Sequence, residues 1–427
     1  MKKFLVALVT LSTISHQPSV FAQGSLTPPG PPVPTMKTLA QIEPRTPISA
    51  PPFTITNSGS YYLTTNLSVT SGDAITISVN GVTLDLNGFT IASTEATPTG
   101  TGILLSGERS SIHILNGHIK GGVTNNAGVY SGSGFLSGIN YSGVPPTNVR
   151  VAGVSVSGCQ GMGIFLGLGD STVVESCTVR AIGYLGIHAN SVSHCVAKEC
   201  GFGAISAITA SDCAGFGTGS GDGLRAHTAN NCVGISSGGN GFSAHSANNC
   251  YGSSSSGSGI SVDDRGTLIA CTAENSSLGI NAGIGSIIKD CTVVQNTSHG
   301  ISAGDGSAIQ GCTVRSNIAD GIRVTNSCQV VGNLCTKNGD GTTNTASIHV
   351  LGTNNRIDGN HCVGNLAAGG NGIKVDAGRN VIIRNSARDH KTKDYDIIAS
   401  GTNSYGQIIT APGNNFTNSN PWANFAF

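Results

Sequence analysis

Cysteine recurs along the middle of this chain at a nearly constant interval. From Cys177 it falls at 195, 213, 232, 250, 271, 291 and 312, which are separations of 18, 18, 19, 18, 21, 20 and 21 residues. A glycine followed by an apolar residue keeps step: Gly186-Ile187, Gly223-Leu224, Gly241-Phe242, Gly259-Ile260, Gly279-Ile280, Gly300-Ile301, Gly321-Ile322 and Gly372-Ile373, with Ala204-Ile205 as a variant. So short a period means a stack of similar units, each burying its apolar face against its neighbours. The units lack amphipathic helical stripes and are rich in glycine and β-branched residues, which argues for short strands between turns.

Three strands and three corners use up 18–21 residues. The expected fold is therefore all-β: a right-handed, single-stranded parallel β-helix of about a dozen coils, 18–27 residues each, stacked at about 4.8 Å. Earlier segments such as "AITISVNGVTLDLNGFTI" fit the same scheme. Strand alternation points the second and fourth residues of each Gly-Ile-x-Ala/Val unit inward and the third outward. The outward column then reads His188, Ser206, Arg225, Ser243, Ser261, Asn281, Ser302, Arg323, His349 and Lys374. The cysteines read as an inward ladder of small hydrophobes, with the off-register Cys200 and Cys328 as the pairing candidates. A further ladder is expected at Asn275, Asn296, Asn317, Asn338 and Asn365, since asparagine tolerates left-handed corners and can bond its equivalent one coil away.

The ends differ from the middle. Lys2 and Lys3, an apolar run over 4–14 and the small residues before Gln23 read as a secretory signal over 1–22. A Pro-rich leader is expected over 23–52, the β-helix over 53–410, and a cap over 411–427 carrying Phe416, Trp422, Phe425 and Phe427, which would block open strand edges. Export to the periplasm, cell surface or medium follows. With 10% charged residues, zero formal net charge and no apolar run long enough to span a bilayer, neither a nucleic-acid partner nor a membrane span is expected, and a monomer is favoured.

Segments such as "GSYYLTTNL", "TLDLNGFTI" and "NGHIKG", with the repeated "GI…C" units, resemble the right-handed β-helix superfamily of pectate lyases and polygalacturonases. "MKTLAQIEPRTPIS", "IIRNSARDHKTKDYDI" and the terminal "PWANF" resemble more closely a group of exported bacterial β-helix repeat proteins to which no reaction is assigned. The first resemblance implies carbohydrate chemistry on an exposed face. Ser298-His299-Gly300 matches the polygalacturonase histidine element except for its first glycine, and Arg323 keeps the arginine while Thr325 replaces the lysine. Ser277 and Leu278 stand where the catalytic carboxylates belong, so an inverting hydrolase lacks its acids.

Two functional readings follow. The preferred one is a non-catalytic rod that binds anionic polysaccharide through His188, Arg225, Asn281, Arg323, His349 and Lys374, or serves as a surface structural or adhesive element. The alternative is a polysaccharide lyase or other uronan-modifying enzyme using His299, Asp320 and Arg323, with Arg323 as base. No cofactor is expected under the first reading. Under the second, calcium is the candidate, and Asp263 and Asp264 are the acids nearest to a calcium site.

Overall fold

The computed structural model describes residues 42–339, 344–367, 370–398, 402–410 and 419–427. The expected signal segment, residues 1–22, lies outside them, as does Phe416. The unit 45–427 is all-β, a right-handed parallel β-helix of three long parallel sheets. The first sheet runs through sixteen strands, from Phe53–Ile55 to Tyr395–Ile397, so the rod has more coils than the dozen expected. Coil size also exceeds the expected range. Ile103 pairs with Ile139, an offset of 36 residues, because an antiparallel hairpin of Thr124–Asn126 and Val129–Ser131 is inserted there. At the N-terminal end, Thr46–Ile48 already pairs with the strand Gly59–Leu63.

The repeat glycines are dictated by coil spacing. A Cβ at Gly300 would lie 2.6 Å from Asn317 Nδ2, Gly321 O and Val314 Cγ1, and one at Gly279 would lie 2.4 Å from Gly300 O. "His-Gly-Ile" is therefore part of the scaffold at its glycine, whatever its histidine does. The following residues build the interior: Ile187, Leu224, Phe242, Ile260, Ile280, Ile301 and Ile322 are essentially fully buried. Each large aliphatic side chain so removed from water contributes about 1.5–3 kcal/mol.

All thirteen cysteines are buried and free of disulfides, Cys200 and Cys328 included. The main ladder ends at Cys312, whose backbone N–H donates to Asn333 Oδ1 at 2.9 Å. From there asparagine takes the same corner: Asn333, Asn360, Asn385 and Asn424 bond one another at 2.9–3.1 Å. A second corner ladder runs Ser276, Asn296, Asn317, Asn338. Asn275, expected in that ladder, instead takes the left-handed position before it, at φ 51°. Asn365 is exposed and accepts from the Ala367 amide. Of the segment expected as a cap, residues 419–427 are described. Asn424–Ala426 is a regular third-sheet strand against Ser386–Arg388 and Ile408–Thr410, and Trp422 is half exposed beneath the Arg384 guanidinium, 5.6 Å from its ring centre.

Replacing Asn360 by Ala leaves the Asn333 backbone N–H without its acceptor and takes one hydrogen bond each from Asn333 Nδ2, Val330 O and Asn385 Oδ1 in a dry corner. Denaturant unfolding should show a loss of at least about 2 kcal/mol, against a change within about 0.5 kcal/mol for Asn365→Ala at the exposed corner.

Candidate functional site

The outward column forms as the alternation requires. His188 pairs with Ser206, Ser206 with Arg225, Arg225 with Ser243, Ser243 with Ser261, Ser261 with Asn281, Asn281 with Ser302, Ser302 with Arg323, Arg323 with His349, and His349 with Lys374. One coil before His188 the column holds Phe165. Regular register places these side chains in one file at about 4.8 Å intervals. Their environments nevertheless divide the file into three parts.

At the N-terminal part, His188 stacks on Phe165 at 4.9 Å and Phe165 on Tyr141 at 5.6 Å. Burial lowers the His188 pKa, only partly offset by the interaction of the ring with the Ser206 backbone, which acts to raise it. This shift favours the neutral ring at His188.

At the C-terminal part the charges are committed to one another. Asp320 is 2% exposed. It accepts the Ala346 amide at 2.8 Å and the His349 Nδ1–H at 3.0 Å. His299 Nδ1 lies 3.3 Å from the same carboxylate. Burial would raise the Asp320 pKa, but the bonds from His299 and His349 and the charge of His349 outweigh it and hold the carboxyl at about 2. His349 reaches Asp376 Oδ2 with its other nitrogen at 2.8 Å. Burial acts to lower the His349 pKa, yet the two flanking carboxylates raise it, so the ring is held as an imidazolium. Lys374 closes the file as an ion-pair partner of Asp376.

His299 is positioned from both sides. Its Nε2 lies 2.9 Å from Arg323 Nη1. A guanidinium only donates, so Nε2 is placed to accept from Arg323, while Nδ1 faces both the Asp320 carboxylate and the Asp320 backbone N–H, which lies 3.2 Å from it. The sequence candidates His299, Asp320 and Arg323 thus meet as one chain of contacts, with His349 and Asp376 extending it. Asp376, two residues beyond Lys374 on the same strand course, was missed by the sequence reading; its two-residue offset from a column residue was the available signal.

The middle part is open. Three adjoining hollows of about 260, 230 and 310 Å³ surround Arg225, which lines all three. Asp222 and Asp263 each line two of them. Arg225 is exposed and, among the described residues, makes no hydrogen bond or ion pair. Asp222 accepts the Asn240 amide at 3.0 Å. Asp263 opens a bulge that breaks the register between Ala244 and Ser246; beside it, His227 and His245 stack at 4.8 Å. Asp264 is turned to the next coil, accepting the Ile284 amide at 2.8 Å. The two acids therefore do not act together, and among the described residues no group of three or more His, Cys, Asp or Glu gathers around a space for a metal ion. Asn281 is exposed between the two charged zones and makes no side-chain hydrogen bond among the described residues.

One further arrangement mimics a nucleophilic triad. Ser347 Oγ lies 3.2 Å from His390 Nε2, and His390 Nδ1 lies 2.9 Å from Asp394. Ser347 is fully buried and His390 is 7% exposed, so no acyl or glycosyl substrate reaches the hydroxyl, and the chain satisfies buried polar groups.

It is a right-handed parallel β-helix protein. No family model matches the chain and no curated protein matches it. Among solved structures it is similar to the A-module of mannuronan C-5 epimerase AlgE4 of Azotobacter vinelandii, at 15% identity and TM-score 0.38, over 81% of this chain and 90% of that one. It is also similar to the periplasmic alginate epimerase AlgG, at 13% identity and TM-score 0.34, over 83% and 77% of the two chains. A third is tailspike protein 3 of bacteriophage CBA120, at 11% identity and TM-score 0.33, over 89% and 60%.

The His349 imidazolium yields a signed pH dependence. Its raised pKa means its contribution to stability is complete below the unfolded value of about 6.5 and is lost as pH rises through the folded value. Asp320 acts oppositely: its contribution is complete above about 3.9 and disappears only as pH falls toward 2. Melting temperature should therefore fall between pH 6 and 9 in the wild type and fall less in His349→Gln. Asp320→Asn should cost about 3–5 kcal/mol at pH 7, because it removes one partner of a buried charge pair.

Proposed function

We propose that this protein binds an anionic polysaccharide on its first sheet, with Arg225 as the carboxylate-binding residue. The supporting observation is that Arg225, an exposed cation without a partner among the described residues, lines three adjoining hollows. Arg323, His349 and Lys374 are engaged by His299, Asp320 and Asp376, so they offer less free charge than the sequence suggests. Arginine presents a planar fork that matches a carboxylate. Asp222 and Asp263 beside it accept hydroxyl protons and repel a dense polyanion, which favours a sugar acid, in which hydroxyls accompany each carboxylate. The zero formal net charge fits recognition by contact in place of long-range attraction. Export and a non-catalytic role complete this reading.

A second reading has one specific observation in its favour. The buried Asp320 holds His299 Nδ1 through its carboxylate at 3.3 Å and its backbone N–H at 3.2 Å, and Arg323 Nη1 lies 2.9 Å from Nε2. For abstraction of a proton next to a uronate carboxylate, His299 Nε2 is a better acceptor than Arg323, because a guanidinium does not release its proton near neutral pH. Arg323 would then release the imidazole and neutralise the carboxylate, while the C4–O bond breaks as the C4–C5 double bond forms and the protonated His299 returns its proton to the departing glycosidic oxygen. Calcium enters this reading as an added reagent to be tested.

Affinity electrophoresis and calorimetry of the mature protein with polygalacturonate, alginate and neutral polymers test both readings. Arg225→Ala should weaken binding of the acidic polymer by about 10- to 100-fold, the equivalent of one charge-assisted hydrogen-bonded contact, while Arg323→Ala leaves it close to wild type. Wild-type affinity in Arg225→Ala, or no polymer bound at all, overturns the first reading. Unsaturated product followed by ultraviolet absorbance, with and without calcium, and lost in both His299→Ala and Arg323→Ala, would establish the second.

A further inference from the structure

We propose that the exposed ring of Phe202, together with the glycine corner above it, is a stacking subsite for one pyranose ring of the sugar acid, and that the polymer crosses the rod there and does not run along it. This rests on the reading of Arg225 given above.

Tyr184 and Phe202 occupy the same corner of successive coils, with ring centres 4.7 Å apart and planes within 9°. They are 45% and 41% exposed. A purely structural stack gains from continuing, since every added ring covers another exposed face. This one stops at Phe202. The same corner then carries Gly221, Gly239 and Gly257, and no side chain fits there: a Cβ at Gly221 would lie 2.2 Å from Phe202 O, one at Gly239 2.4 Å from Gly221 O, and one at Gly257 2.5 Å from Gly239 O. Because Tyr184 covers the N-terminal face of the Phe202 ring, its other face looks toward this bare corner. The space so cleared is the first of the three hollows, lined by Phe202, Ser220, Gly221, Asp222 and Arg225 among others.

An apolar ring face thus borders a carboxylate and an unpaired guanidinium within one hollow. That is the complement of a uronic acid pyranose, with its C–H face, hydroxyls and carboxylate. The rings stack coil on coil, so a pyranose laid on Phe202 has its plane across the rod. The remaining hollows agree with a crossing path. The first lies at the leading edge of the sheet, and the third, lined by Leu168, Ile208, His227 and Asp263, lies at the trailing edge, with Arg225 common to both.

The test is calorimetric affinity for polygalacturonate and alginate of the full mature chain and of Phe202→Ala, Phe202→Leu, Phe202→Tyr, Arg225→Ala and Arg323→Ala, each first shown to melt as the wild type does. Phe202→Ala should lose roughly five- to tenfold in affinity, the size of one aromatic stacking contact. Phe202→Leu should lose nearly as much, Phe202→Tyr should match the wild type, and Arg323→Ala should be unaffected. Wild-type affinity in Phe202→Ala with a large loss in Arg225→Ala removes the subsite and leaves the Arg225 reading standing. A loss in Arg323→Ala equal to that in Arg225→Ala means an axial path and overturns the crossing. Binding by no variant and not by the wild type overturns both the subsite and the reading beneath it.

Discussion

In-register hydrogen bonding between successive coils governs everything else in this molecule. It forces each side chain against the one in the same position a coil away, so every column must tolerate its own repetition. Apolar residues do so at once, and the interior becomes continuous files of isoleucine, alanine and cysteine. Polar residues tolerate it only when they both donate and accept, which is why asparagine fills the corners after Cys312. Like charges do not tolerate it. Where Arg323, His349 and Lys374 stack in sequence, Asp320 and Asp376 are drawn alongside and neutralise the file.

This constraint also explains where the surface keeps an uncompensated charge. Arg225 is flanked in its column by Ser206 and Ser243, which neither repel it nor pair with it. Its charge remains available to a ligand. The strongly charged end looks more like an active site in the sequence because it concentrates acids and bases, but most of that concentration is the column compensating itself. Asp320 and His349 are 2% and 7% exposed, and their shifted pKa values record that compensation.

Much of the architecture was legible in the chain. The cysteine period and the Gly-apolar pairs gave the coil, and alternation placed all ten outward residues in the correct file, because side-chain direction in a strand follows from its period of two. Coil number was less legible, since the units before Cys177 lack the cysteine and one carries an inserted hairpin. The asparagine ladder was misread at Asn275 and Asn365, where a shift of one residue at a corner changes an inward side chain to an outward one. The cluster of His299, Asp320 and Arg323 was found, but not its closure by Asp376. Least legible was the open surface around Arg225. A hollow arises from what is absent between neighbouring side chains, here the missing Cβ atoms at the glycine corner beyond Phe202, and no motif announces it.

The change of ladder from cysteine to asparagine bears on how such a rod can alter its length over generations. In the cysteine region the coils from 177 to 195 and from 195 to 213 are each 18 residues long, and each ladder thiol repeats the same contact, donating to the backbone carbonyl two residues before it. Loss or duplication of one such coil brings a cysteine against a cysteine and leaves the interior continuous. In the asparagine region each amide is both donor and acceptor to specific neighbours, so an inserted coil must supply its own amide at the corner or leave two others unsatisfied. The cysteine half is therefore the part where the rod can grow or shrink by single genetic events, and the face bearing Arg225 lies within it.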